Sequence, residues 1–189
     1  MDINKQLQKS VRKVQKNGDE KSAELIISHY YHEIYCYMYK QTIDKELAMD
    51  LTQEIFVSML KTVKNFDSQK ASFRTWLYRI ATNKIVDHYR SRSFQYTQVV
   101  EMLNEDLESE GDFSLDIERK IELEQIIDCV NQLDVTRQKI FRLKIFGEYT
   151  FGEIAKMMKI PESTVKTKFY ATQRLIRTEF LGSNEFGEA

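Results

Sequence analysis

Six residues towards the C-terminal end, Thr164, Lys166, Thr167, Lys168, Tyr170 and Arg174, form the set best equipped for chemistry. Their hydroxyls and cations suit hydrogen bonding to base edges and phosphate oxygens. The chemistry they imply is recognition of duplex DNA, with no bond made or broken. A second set lies earlier, between Phe73 and Arg92, where Tyr78, Arg79, Asn83, Lys84, His88, Tyr89 and Arg90 combine aromatic, amide and cationic groups. That mixture suits unstacked bases, which are gripped by a cationic groove plus stacking on aromatics worth about 1–3 kcal/mol per base. The competing reading of Trp76 and Tyr78 is as core aromatics, and it is the stronger one for Trp76, which falls on the apolar stripe with Phe73 and Ile80.

Other chemistry finds little support. His29, His32 and Cys36 lie near one helical face beside Glu33, a spacing that could hold a metal. Tyr30, Tyr31, Tyr35, Tyr37 and Tyr39 crowd the same helix, however, and no fourth ligand is apparent. Cys36 and Cys129 show no CxxC spacing and indicate no disulfide framework by themselves. No Gly-rich phosphate loop or nucleophile motif appears, so neither catalysis nor a metal or small-molecule cofactor is implied.

The DNA-facing residues need elements to hold them. Thr150, with Glu153 three residues on, has the form of a capping box opening a short helix whose Ile154, Ala155 and Met158 face inward. Pro161 suits the start of the next helix, which Val165 anchors in the core. The pair reads as a helix-turn-helix, whose second helix enters a major groove about 12 Å wide. Upstream, Ala23, Ile26, Ile27, Tyr30, Ile34, Tyr37 and Met38, then Leu47, Leu51, Ile55, Met59 and Val63, recur at helical spacing around a polar break at Gln41 to Lys45. Phe66 to Ser72 has loop chemistry, and Ser72 is placed to cap a third helix.

One Pro and six Gly in 189 residues leave few turn signals, so the expected fold is all-α. The length suits two small helical domains of about 70–90 residues each. Residues 1–92 form the first and 119–181 the second, joined by a flexible linker at 93–118 and followed by a disordered tail at 182–189. Charge is segregated accordingly. Lys61 to Arg92 carries eight Lys/Arg against two acids, Glu101 to Glu118 carries eight acids and no Lys/Arg, and Arg137 to Arg177 carries ten Lys/Arg against three acids. The net charge of -1 conceals two basic segments suited to nucleic acid. Met1 to Gln6 lead into a polar stretch without an apolar core of signal-peptide length, and no run of about 18 apolar residues occurs, which points to a cytoplasmic protein with no membrane contact of its own.

Three motifs in order, Asp50-Leu51-Thr52-Gln53-Glu54-Ile55-Phe56, then Phe66-Asp67 through Phe73-Arg74-Thr75-Trp76-Leu77-Tyr78-Arg79-Ile80-Ala81-Thr82-Asn83, then the terminal helix-turn-helix, closely resemble the extracytoplasmic-function (ECF) group of sigma-70 family RNA polymerase sigma factors. The resemblance covers nearly the whole chain. It implies that Asp50, Gln53, Glu54 and Phe56 dock on the clamp helices of the largest subunit of core RNA polymerase. It implies that Asp67, Ser68, Lys70, Tyr78, Arg79, Asn83, Lys84, His88 and Arg90 meet the minus-10 element of promoter DNA, where a non-template base is flipped. Lys144, Thr164, Lys166, Thr167, Lys168, Tyr170 and Arg174 correspond to the minus-35 contacts, Lys144 as a phosphate contact. The acidic linker matches a segment that in the family threads toward the polymerase active-site cleft. Met158-Lys159 stands where the family's turn usually has a Gly, Ser163 takes a frequent Gly position, and Ala171 and Thr172 replace cations often found there. An anti-sigma factor is expected as a partner by resemblance alone. The rival readings from the residues are an autonomous helix-turn-helix regulator, which would bind duplex DNA without polymerase, and a helical protein-interaction module.

Overall fold

The computed structural model describes residues 3–99 and 114–184, and the elements there are helices with no strand among them. The chain forms two compact units, residues 1–85 and 86–189. Their division falls inside a helix, at Ile85–Val86.

The first unit begins with a helix that the polar composition concealed. α1 (Ile3–Asn17) buries Leu7, Val11 and Val14, spaced four and three apart among Lys and Gln, and ends at Gly18, whose φ of 67° lies in the left-handed region where glycine costs least. α2 (Glu20–Thr42) is capped by Asp19, whose carboxylate accepts from Ser22 N at 2.8 Å, and buries Ile26, Tyr30, Ile34, Tyr37 and Met38. α3 (Lys45–Thr62) is capped by Asp44, which accepts from Glu46 N and Leu47 N at 2.9 and 3.1 Å, and buries Leu51, Ile55, Phe56 and Met59. Each such side chain contributes roughly 1.5–3 kcal/mol on leaving water. A short 3-10 turn, Val63–Asn65, leads to the loop before α4 (Phe73–Val99).

α1 matters for the loop. Gln15 Nε2 donates to the carbonyls of Val63 and Phe66 at 2.9 and 2.8 Å, pinning the entry of the loop to the first helix. The exit is fixed by Ser72, whose hydroxyl accepts from Thr75 N at 3.0 Å, the N-cap its sequence position predicts. Phe66, Phe73 and Trp76 pack as a trio with ring centroids 5.3–5.5 Å apart, closing the loop over the core. α4 runs seven residues beyond Arg92, because nothing in the sequence there stops a helix.

In the second unit, α5 (Ser114–Asn131), α6 (Val135–Ile145), α7 (Phe151–Met158) and α8 (Glu162–Asn184) surround Ile127, Val130, Ile140, Phe141, Leu143, Ile154, Val165, Phe169 and Ile176. α5 begins inside the expected linker at 93–118, and α8 continues into the expected tail at 182–189; the acidic residues 100–113 and the tail beyond Asn184 lie outside the described residues.

Candidate nucleic-acid and partner interfaces

α7 starts with a complete capping box. Thr150 Oγ1 accepts from Glu153 N at 3.3 Å while Glu153 Oε2 accepts from Thr150 N at 2.8 Å. The helix stops at Lys159, which takes φ 57°, ψ 44° where glycine is usual. Ile160 N then donates to Ala155 O at 3.1 Å, and the chain turns through Pro161 into α8. A Cβ at Gly152 would stand 3.2 Å from Glu162 Oε2, the end of a flexible side chain at the head of α8.

On α8 the buried residues Val165, Phe169, Thr172 and Ile176 recur at intervals of four and three. The remaining faces expose Lys166, Thr167, Tyr170 and Arg174, with Thr164 and Lys168 half-buried at the edges. Lys144 Nζ lies 5.1 Å from the centroid of Phe151, whose ring packs at 5.8 Å on Tyr170, so the cation on α6 and the outer face of α8 share one surface. Lys166 pairs with Glu162 at 2.7 Å. The hydrogen bond and the charge of that carboxylate hold the Lys166 ammonium above its ordinary pKa.

In the first unit the loop after the 3-10 turn is organised by Asp67. Its carboxylate accepts from Gln69 N at 2.9 Å and pairs with Lys70 at 3.0 Å, and those two interactions, the backbone one first, hold it below the usual carboxylate range. Ser68 and Lys70 are exposed at the loop tip. On α4, Arg79 and Arg90 are exposed, and Asn83 and His88 are half-buried.

Two residues of the expected minus-10 set have partners within the first unit. Tyr78 is buried at 3% exposure, its ring 4.8 Å from that of Tyr37 and its hydroxyl donating to Glu33 Oε1 at 3.0 Å, so no face is left for a base. It belongs to the core, as does the neighbouring Trp76. Lys84 forms an ion pair with Glu54 and lines a cleft with Asp50, Gln53, Val57, Ser58 and Lys61, on the surface assigned to polymerase docking. Phe56 also moves inward. It is 4% exposed and stacks on Tyr31, so it supports the α3 surface from beneath. The apolar groups that α3 presents to solvent are Met49, Val57 and Leu60, which with Gln53 fall at helical intervals along one stripe flanked by Asp50 and Glu54. An apolar stripe with a polar rim is the composition of a protein interface. Leu60, two residues before the helix ends, was legible only once the inward face of α3 was known.

His32, Glu33 and Cys36 are engaged locally. Glu33 accepts from Arg74 Nε at 2.6 Å and from Tyr78, and Cys36 Sγ lies 3.5 Å from His32 Nε2. Among the described residues no group of three or more His, Cys, Asp and Glu side chains is arranged to hold a metal ion. A pocket of about 590 Å³ opens between α1 and the loop, lined among others by Gln8, Arg12, Gln15, Phe66, Ser68 and Ser72. The contribution of α1 to this wall was missed in the sequence, although Leu7, Val11 and Val14 carried the signal. No helix of the described residues is long and apolar enough to cross a membrane.

Comparison with known proteins places residues 26–95 in the Sigma-70 region 2 family and residues 123–171 in the Sigma-70 region 4 family. The chain is 30% identical to the RNA polymerase sigma-H factor of Pseudomonas aeruginosa, covering 89% of this chain and 91% of that one, and 28% identical to the ECF RNA polymerase sigma factor SigW of Bacillus subtilis, covering 92% and 96%. The solved structure of CnrH in complex with the cytosolic domain of CnrY matches with a TM-score of 0.61 at 16% identity, over 95% of this chain and 97% of that one. The sigma factor RpoE in complex with the anti-sigma factor NepR from Bartonella quintana matches with a TM-score of 0.53 at 14% identity, over 82% and 94%. These structural likenesses show the fold.

Proposed function

The chain belongs to the extracytoplasmic-function group of the sigma-70 family, non-enzymatic alternative sigma factors that direct RNA polymerase, and from that premise we propose which of its surfaces does what. Residues 1–92 dock on core polymerase and capture melted minus-10 DNA, and residues 119–181 read the minus-35 duplex. The docking surface is the α3 stripe of Met49, Gln53, Val57 and Leu60 with Asp50, Glu54 and the Glu54–Lys84 pair at its rim. The minus-10 surface is the Asp67–Lys70 loop with Arg79, Asn83, His88 and Arg90, and the pocket walled by α1 and the loop accepts the extruded base. Stacking there falls to the Phe66 and Phe73 rings at the pocket wall. The minus-35 surface is Thr164, Lys166, Thr167, Lys168, Tyr170 and Arg174, with Lys144 on phosphate. An anti-sigma factor covers the α3 stripe when the protein is idle, and the chain works in the cytoplasm, where its polymerase is. The observation that carries this reading is the α8 helix, whose buried Val165, Phe169, Thr172 and Ile176 turn a hydroxyl and cation face outward behind a capped, tightly turned α7.

Binding comes first from phosphate neutralisation, which gives a log-log salt slope of about -0.9 per duplex contact, while base contacts select the site. The test is transcription by core polymerase reconstituted with the full chain on a cognate promoter. Lys166→Gln is expected to weaken duplex binding, and Asn83→Ala to leave duplex binding intact while reducing permanganate-reactive, melted DNA. Unaltered transcription with both variants rejects these assignments. Tight duplex binding without polymerase, and no effect on its initiation, favours an autonomous regulator instead.

A further inference from the structure

We propose that Arg137, at the start of α6, completes a cleft that grips a backbone phosphate of the DNA duplex read by α8. An open-sided cleft of about 400 Å³ is lined by Arg137 together with Ser163, Thr164, Thr167, Lys168 and Ala171. Two cations and three hydroxyls converge there, and Ala171 is too small to fill the floor. Every polar side chain on the wall can donate a hydrogen bond, the lining that an anion such as a phosphate needs.

The acids nearby are already committed. Asp134 caps α6, its Oδ1 accepting from Thr136 N and Arg137 N at 3.0 and 3.1 Å, and its Oδ2 lies 3.2 Å from Arg137 Nε. Nε itself is buried and makes no aligned hydrogen bond, so Asp134 steadies the guanidinium electrostatically without saturating its donors. Glu162, at the head of α8, is paired with Lys166. Position argues for phosphate as well. When α8 fills the major groove, a side chain on a neighbouring helix meets the groove wall, which is sugar and phosphate.

The inference rests on α8 being the minus-35 helix, and the experiment separates the two. Polymerase holoenzyme carrying the full chain is titrated with duplex containing the minus-35 element, over a range of salt, and with duplexes in which single phosphates are replaced by neutral methylphosphonates. Arg137→Gln is expected to bind about 10- to 100-fold more weakly at low salt, the scale of one charge-assisted hydrogen bond, and to lower the magnitude of the log-log slope by about 0.9. One methylphosphonate linkage that weakens the wild type should have no further effect on Arg137→Gln. Lys168→Gln should mask the same linkage, which keeps the test decisive if one variant folds poorly. An unchanged slope with no masked linkage overturns the cleft, provided Lys166→Gln and a scrambled minus-35 element still reduce binding. If those two also leave binding unchanged, the minus-35 reading fails and the cleft with it.

Discussion

Replacing Tyr78 by Phe removes one oxygen from the middle of the first unit and tests where α4 directs this aromatic. The hydroxyl donates to Glu33 Oε1 at 3.0 Å, and the same carboxylate accepts from Arg74 Nε at 2.6 Å. The ring stays in place, so no cavity forms, and Arg74, 4.6 Å above it, keeps its cation–π contact. Glu33 also keeps Arg74, so no charge is orphaned. What remains is the loss of two hydrogen bonds, the one donated to the Glu33 carboxylate and a longer one accepted from Arg74 Nη2 at 3.4 Å, and partial exposure puts the cost at about 1.5–2 kcal/mol, low in the range for bonds to charged groups. For a domain of this size that lowers the melting temperature by about 4–8 °C per kcal/mol. Urea unfolding of wild type, Tyr78→Phe, Glu33→Gln and the double variant should give a coupling of at least about 0.5 kcal/mol. Open-complex formation on a promoter, read by permanganate, should be unchanged at temperatures where both proteins are folded. Unchanged stability together with weaker opening would put the hydroxyl on DNA and refute the inward assignment.

Gly147→Ala should destabilise the second unit by about 1–3 kcal/mol, because the new Cβ would stand 2.9 Å from the backbone oxygen of Leu143 and 3.0 Å from the Tyr149 ring; differential scanning calorimetry reads this directly. Val57→Asp, at a site 49% exposed, should leave stability within about 0.5 kcal/mol yet weaken the affinity for core polymerase at least about tenfold, measured by fluorescence anisotropy. Cys129 should alkylate slowly at pH 8, since burial first and then the Glu179 carboxylate, 2.8 Å away, raise its thiol to about 11. The folded thiol holds its proton above the pH near 9 where an unfolded one ionises, so its stabilising contribution is complete below pH 9 and is lost between about 9 and 11; Glu179→Gln should speed alkylation at pH 8.

Much of this molecule is legible in its residues, and the failures have identifiable causes. The all-helical fold, the capping box at Thr150 and Glu153 and the Ser72 cap follow from local rules that tertiary packing did not override. α1 was hidden because its three buried residues are diluted by Lys and Gln, so average polarity masked a period that Leu7, Val11 and Val14 still carry. Tyr78 and Phe56 were assigned to surfaces because they belong to motifs with partners, whereas helical phase turns both rings inward and leaves Met49, Val57 and Leu60 outside. Lys159 shows the limit of reading turns by glycine. The left-handed C-cap is present without it, at a strain of roughly 1–2 kcal/mol carried by the packing of α7 against α8. Arg137 carried no signal beyond its membership of the second basic segment, since its place beside α8 depends on how α6 packs against that helix.

The central claim is that this chain gives RNA polymerase a promoter preference by reading two DNA elements with two separately folded units. Run-off transcription from fragmented genomic DNA of the source bacterium, by core polymerase with and without the protein, followed by sequencing of transcript 5′ ends, tests it most directly. New discrete start sites sharing two upstream elements, the farther one lost in importance with Lys166→Gln and the nearer one with Asn83→Ala, are the predicted result. Start sites identical with and without the protein, while it binds duplex DNA unaided, would contradict the account.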